Sequence, residues 1–261
     1  MGDVIYAPLI SGMTWSFSRI KQFESCPYAW YLKYICELTP DREQFFSSYG
    51  LFMHSLLEQG FSGKSDRDRL VLRYLLGFNN HVHGLAPNSK VFANYFIDGL
   101  AYLRNMTLPA FRVLATEQKV RYQIGNIRML GFIDLLGQDE TGLILLDHKS
   151  RSLKERSGRK KPTLGDRELD EYMKQLYLYA AAVKQARGVF PTQLCFNCFR
   201  KNLLIKERFD EQIYHQTEQW LTDMVQKITY TTDFPPNWEY FKCNYLCDMS
   251  GHCEYHEMNS R

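Results

Sequence analysis

Asp134, Asp147 and Lys149 are the residues of this sequence whose types and spacing could do chemistry. Gly131-Phe132-Ile133-Asp134 is followed, after a gap of hairpin length, by Asp147-His148-Lys149-Ser150. Side chains alternate along a strand, so Asp147 and Lys149 share a face and His148 points to the other. A hairpin closing near Asp139 and Glu140 sets Asp134 almost opposite Leu145, one diagonal step and roughly 5 to 8 Å from Asp147. Two converging acids repel unless a cation holds them, and oxygen ligands select a hard divalent ion, Mg²⁺ or Mn²⁺. A lysine beside that ion can orient or deprotonate a water, which is the set of parts phosphodiester hydrolysis needs. A bare Asp-x-Lys is otherwise an ordinary surface ion pair.

The elements that must position these residues follow from the pattern around them. Arg128 to Leu136 and Leu143 to Lys149 read as strands, the second opening on Leu143-Ile144-Leu145-Leu146, an apolar run expected of a strand buried on both faces. Arg112 to Gln123 is a strand before them, with Glu117 inside it. After an irregular lead-in over residues 1 to 13, Ser16 or Ser18 caps a helix that restarts at Cys26-Pro27. A helix over Ser48 to Phe61 stacks His54 and Glu58 one turn apart. Residues 66 to 83 and 88 to 106 are aromatic-rich helical segments, read as an insertion over 62–110 that shapes a channel. Residues 166 to 187 form a helix on which Gln175 and Tyr179 share a face. Thr192 to Arg200 and Leu203 to Phe209 are two more strands, and Asp210 caps a last long helix.

Composition limits the alternatives. Hydrophobic residues are 45% and charged residues 23% of the sequence, as in globular domains, and the net charge of +3 leaves any nucleic-acid surface to local clusters. One such cluster follows Lys149: Arg151, Lys154, Arg156, Arg159, Lys160 and Lys161. It is either a solvated run or an arm that grips phosphates. No run reaches transmembrane length and no signal peptide opens the sequence, so an intracellular location and no membrane are expected.

Seven cysteines without a secretion signal argue against a disulfide framework. Cys243, Cys247 and Cys253 crowd an irregular tail, and Cys26 at a helix start is the candidate fourth ligand of a Cys₄ site for zinc or an iron-sulfur cluster. His252 and His256 allow a local zinc finger instead. Cys195 and Cys198 lie in a strand pattern at an odd offset and read as core, as does Cys36.

In order along the chain, Ser16 to Ile20 with Cys26-Pro27, Gly50 to His54 with Glu58, Gly131 to Asp134, Asp147 to Ser150, Gln175 to Tyr179 and the cysteine tail resemble the PD-(D/E)XK nucleases of the RecB type. The likeness is to the iron-sulfur branch that includes the AddB nuclease domain and the CRISPR-associated RecB-like exonucleases. It runs from about residue 16 to 255. It implies a mixed α/β fold, a restriction-endonuclease-like αβββαβ core with a central sheet flanked by helices. One nuclease domain would span 1–261, its 234–261 tail packing on the 16–36 helix. His54, Asp134, Asp147 and the His148 backbone carbonyl would hold Mg²⁺ or Mn²⁺. Lys149 would act on the water, and Gln175 and Tyr179 would contact substrate or support the site. Cys26, Cys243, Cys247 and Cys253 would hold a [4Fe-4S] cluster. Three residues separate Cys243 and Cys247 where the family commonly has two, so zinc stays as the lesser alternative. The implied activity is a DNA exonuclease acting on single-stranded ends in recombination, repair or phage and CRISPR DNA processing, with a helicase or a recombination or adaptation protein as partner. The rival readings are a non-catalytic nucleic-acid-binding module with a structural Cys₄ site, and a structure-specific endonuclease on the same fold.

Overall fold

The computed structural model describes residues 6–107 and 109–259. Residues 1–5 of the lead-in and 260–261 of the tail lie outside the described residues. The sheet has five strands in sequence order: β1 (Arg112–Ile124), β2 (Ile127–Asp139), β3 (Gly142–His148), β4 (Gln193–Cys198) and β5 (Leu203–Arg208). Neighbours run antiparallel except β3 and β4, which are parallel. A parallel pair needs a long crossover, and the helix Leu164–Arg187 supplies it. With its flanking helices this is the mixed α/β architecture the sequence predicts.

The apolar run of β3 explains the layers. Leu143 and Leu145 join the large core beneath Leu169, Leu176 and Leu178 of the crossover helix, while Ile144 and Leu146 meet Leu135 and Cys195 on the other face. Numbered in chain order, the helices are α1 (Ala7–Ser11), α2 (Phe17–Ser25), α3 (Pro27–Tyr34), α4 (Phe45–Phe61), α5 (Arg67–His81), α6 (Ser89–Asn105), α7 (Leu164–Arg187), α8 (Glu211–Thr229), α9 (Tyr240–Tyr245) and α10 (Glu254–Asn259). The lead-in is thus not wholly irregular, since Pro8 sits in the first turn of α1, where its missing N–H costs nothing.

Local chemistry sets the boundaries that matter for the site. Ser16 caps α2, accepting from the Arg19 amide, and Cys26 ends α2 and precedes Pro27 at the start of α3. Thr163 and Asp166 close a capping box at the start of α7, which ends on Gly188 in the left-handed conformation, φ 78°. Helices α4, α5 and α6 share a core of their own, with Tyr49, Phe52, Leu70, Tyr74 and Phe78 buried together. Each such side chain contributes about 1.5 to 3 kcal/mol, which fixes α4 to α5 and α6, while Phe61 at the end of α4 packs with Leu135, Ile144 and Leu146 of the sheet.

Candidate metal and active site

Hairpin geometry gathers the acids. The β2–β3 turn is only Glu140 and Thr141, because Asp139 pairs with Gly142 and Leu135 with Leu146. Continued one step, this register sets Asp134 opposite Asp147. The expectation of Leu145 as its neighbour is corrected: Leu145 pairs with Leu136, because the hairpin closes one residue further along, at Glu140-Thr141 instead of Asp139-Glu140. Asp134 Oδ2 accepts from the His148 amide at 2.6 Å, and both aspartates are buried. His148 points to the opposite face, as alternation requires, with its ring stacked 5.3 Å from Phe61.

His54 arrives from α4. Its Nε2 donates to the His148 carbonyl at 3.0 Å, while Nδ1 lies 3.3 Å from Glu117 Oε1 and 3.5 Å from Asp134 Oδ2. The His148 carbonyl, expected in the metal shell, is therefore already an acceptor for His54 and has one lone pair left. Glu58, one turn on, pairs with Lys64 at 2.9 Å and takes no part.

Glu117 is the site residue that sequence reasoning missed. It stands within β1 at φ 46°, in the left-handed region, a cost of about 1 to 3 kcal/mol for a residue with a Cβ. A signal for it existed. β1 and β2 are joined by the two residues Gly125-Asn126, Ile124 pairing with Ile127, and counting back along the hairpin sets Glu117 across from Asp134. Thr116 pairs with Leu135 and Gln118 with Ile133 on either side.

Burial, together with the Asp147 charge, holds the Asp134 carboxyl up at about 8 against the pull of His54. Burial disfavours the charged imidazole of His54, but its bond to Glu117 and the charges of Asp134 and Asp147 outweigh that and push it up to about 9. Near neutral pH the site thus carries protons that an arriving cation would displace.

Lys149 Nζ lies 2.7 Å from Asp147 Oδ2 and donates to Gln175 Oε1 at 2.8 Å. Gln175 Nε2 in turn donates to Asp147 Oδ1 at 2.9 Å and to the Tyr179 hydroxyl at 3.3 Å. Gly131 belongs to this arrangement, since a Cβ there would stand 2.4 Å from Tyr179 Cε1. The structure therefore brings His54, Asp134, Asp147, Lys149, Gln175 and Tyr179 together, with Glu117 added.

The sequence model of the PD-(D/E)XK nuclease superfamily matches residues 14–256. The chain belongs to the PD-(D/E)XK nuclease superfamily. No curated protein matches its sequence. It is similar to a crystal structure from Eubacterium rectale, provisionally named an exonuclease, at 12% identity and a TM-score of 0.49 over 97% of this chain and 92% of that one. PD-(D/E)XK nucleases use divalent metals and act on nucleic acid.

The residues present fit such an ion. His54, Glu117 and Asp134 each offer a ligand atom within 4.8 Å of the others. Asp147 adds a buried carboxylate beside them, its Oδ2 2.7 Å from the Lys149 ammonium. Buried carboxylates gathered with an imidazole in this way offer the oxygen and nitrogen donors a divalent cation takes.

Lys149, Gln175 and Tyr179 open onto a cleft of about 1050 Å³ whose far wall includes Cys26, Cys243, Cys247 and Cys253. The four thiols converge from α2's end and the tail: Cys26 and Cys243 lie close enough to both Cys247 and Cys253 for their charges to interact. Burial pushes the Cys247 thiol up to about 12. His252 Nε2 donates to the Thr39 carbonyl at 2.9 Å and His256 Nε2 to Asn244 at 3.2 Å, so both imidazoles are engaged away from the thiols. Cys195 and Cys198 are core residues as expected, whereas Cys36 is exposed, a correction that follows from its place just beyond the end of α3.

The basic run is divided. Arg151 borders the cleft, bonded to Tyr172 and paired with Glu168 at 3.1 Å. Arg156 is held by Asp170 and Glu207, each at 2.8 Å. Lys154, Arg159, Lys160 and Lys161 are exposed, although Ser157 and Thr163 both anchor the segment to Asp166. Among the described residues no helix is long and apolar enough to cross a membrane.

Proposed function

We propose that this chain is a single-domain, divalent-metal-dependent DNA exonuclease of the RecB-like iron-sulfur type, acting inside the cell on single-stranded ends in recombination, repair or CRISPR-type processing. The helical segment 62–110 is an insertion and 234–261 a cysteine tail clasping the 16–36 region. The observation that carries the catalytic reading is the convergence of His54, Glu117, Asp134 and Asp147 behind Lys149.

His54, Asp134 and Asp147, joined by Glu117 and the free lone pair of the His148 carbonyl, would hold Mg²⁺ or Mn²⁺. Such an ion would polarise the scissile phosphate and lower the pKa of a bound water. Lys149, with Asp147 on one side and Gln175 on the other, holds an ammonium at the cleft edge where it can orient the water and offset developing charge. Gln175 fixes both Lys149 and Asp147, and Tyr179 backs Gln175. Arg151 at the cleft rim is placed to meet phosphate, with Lys154, Arg159, Lys160 and Lys161 further along the same segment and Arg156 bracing it.

Cys26, Cys243, Cys247 and Cys253 hold a [4Fe-4S] cluster in this reading. The four thiols share one wall of the cleft while His252 and His256 bond elsewhere, which supports an all-cysteine ligand set. Protein purified without oxygen should be brown and contain iron; a colourless preparation with stoichiometric zinc overturns the cluster and leaves the nuclease.

End-labelled single-stranded DNA incubated with Mn²⁺ tests the activity. Cleavage that starts at the ends, spares a circular single strand, and disappears in Lys149→Ala and Asp134→Ala supports the proposal. Cutting of the circle makes it an endonuclease, and binding without cleavage makes it a non-catalytic module.

A further inference from the structure

Asn197 is a buried polar residue near the end of β4, outside the group of side chains that face the cation. It stands beside His148 in the parallel β3–β4 ladder and holds that strand twice. Its backbone carbonyl accepts from the Lys149 amide at 2.9 Å, and its side-chain amide lies 3.0 Å from His148 Nδ1, to which it donates. The second amide hydrogen goes to the Tyr102 hydroxyl on α6, at 2.7 Å. Both hydrogens of one amide are therefore committed, one to the strand that carries the site and one to the helical insertion.

The consequence runs to the cation site. With Nδ1 as acceptor, the His148 ring is the neutral tautomer with its hydrogen on Nε2, fixed between Asn197 and the face of Phe61. The backbone of that residue is thereby oriented. Its amide serves Asp134 and its carbonyl receives His54 Nε2. A hydrogen on Nε2 leaves Nδ1 of His54 directed at Glu117 and Asp134, which is the nitrogen a metal needs.

We infer that Asn197, braced by Tyr102, is a positioning residue for the metal site: it sets the His148 backbone that orients His54, Asp134 and Lys149, and so makes α6 part of the site's support. This rests on the metal-dependent reading proposed above. Outer partners of this kind change metal affinity more than fold, because they orient ligands that are present either way.

Calorimetric titration with Mn²⁺, with thermal unfolding of the metal-free proteins alongside, tests it. Asn197→Ala should weaken Mn²⁺ binding about 10- to 100-fold and Tyr102→Phe about twofold to tenfold, with cleavage by Tyr102→Phe returning toward wild type as Mn²⁺ is raised. Should Asn197→Ala fail to fold, Tyr102→Phe decides, since it removes one oxygen and keeps the ring. Variants that unfold at lower temperature yet bind Mn²⁺ like wild type overturn the inference and leave the nuclease reading standing. Wild-type protein that binds no Mn²⁺ overturns both.

Discussion

The acidic site at the sheet end and the thiol group at the tail end are built on different principles. At the sheet end, β1, β2, β3, α4 and α7 each deliver one or two polar side chains, and these are hydrogen-bonded to one another before any ion arrives. Asp147 Oδ2 lies 2.7 Å from the Lys149 ammonium. At the tail end, four thiols are brought together by short helices and an irregular stretch, 231–239. Burial raises Cys247 and Cys253 there, so the neutral thiols must lose protons to bind a metal. The sheet end is preorganised by hydrogen bonds and secondary structure. The tail end is tied back to the first helices by scattered hydrogen bonds, such as Lys33 to Asp248 and His252 to the Thr39 carbonyl.

Opposite responses to mutation follow from that contrast. Lys149→Ala should reduce cleavage at least about a hundredfold and move the unfolding midpoint by only a few degrees, as read by turnover and calorimetry. Cys243→Ser should do the reverse. Losing a ligand of the proposed cluster would remove several kcal/mol of folding energy, and at about 2 to 4 °C per kcal/mol the midpoint should fall by about 10 °C or more. If the two variants respond alike, the contrast between the ends is wrong.

A smaller effect is expected of Gly131→Ala. The added methyl would displace the Tyr179 ring, costing about 1 to 3 kcal/mol, and pass to Gln175 as a fall in kcat larger than any rise in KM for DNA.

The smallest effect, and the one that sharpens the comparison, is on pH. Asp134 is raised to about 8 and His54 to about 9 in the folded protein, so the native state binds more protons than the unfolded chain between their ordinary values and these. Stability must then decline as pH rises. For Asp134 the decline begins near pH 4 and ends near 8, and for His54 it runs from about 6.5 to 9. The metal-free midpoint should fall between pH 5 and 9, and saturating Mn²⁺ should flatten the trend, because a bound cation takes the place of those protons. A flat metal-free profile would mean the acids are farther apart than described.

Much of this was legible in the sequence because it is local. The alternation that sends Asp147 and Lys149 one way and His148 the other needs only a strand. Ser16, Thr163 and Asp210 marked their helices by capping chemistry. What escaped depended on counting across elements. The β2–β3 register was misplaced because the run of turn residues over 137–142 does not say which two of them close the hairpin, and Glu117 was passed over because its value lies in what it faces. Asn197 had no signal, since an asparagine near a strand end is commonplace until a histidine and a tyrosine from other elements meet it. Cys36 was misread because a cysteine reads as apolar in sequence while the loop that carries it faces water.

Glu117 places a demand on the molecule beyond its reach toward the ion. The backbone there is bent into a shape that glycine or asparagine would adopt with less effort, so the most comfortable residue for the chain and the most useful one for the reaction are different amino acids. Selection for heat resistance alone would drift toward the former and leave a sturdier protein without that carboxylate.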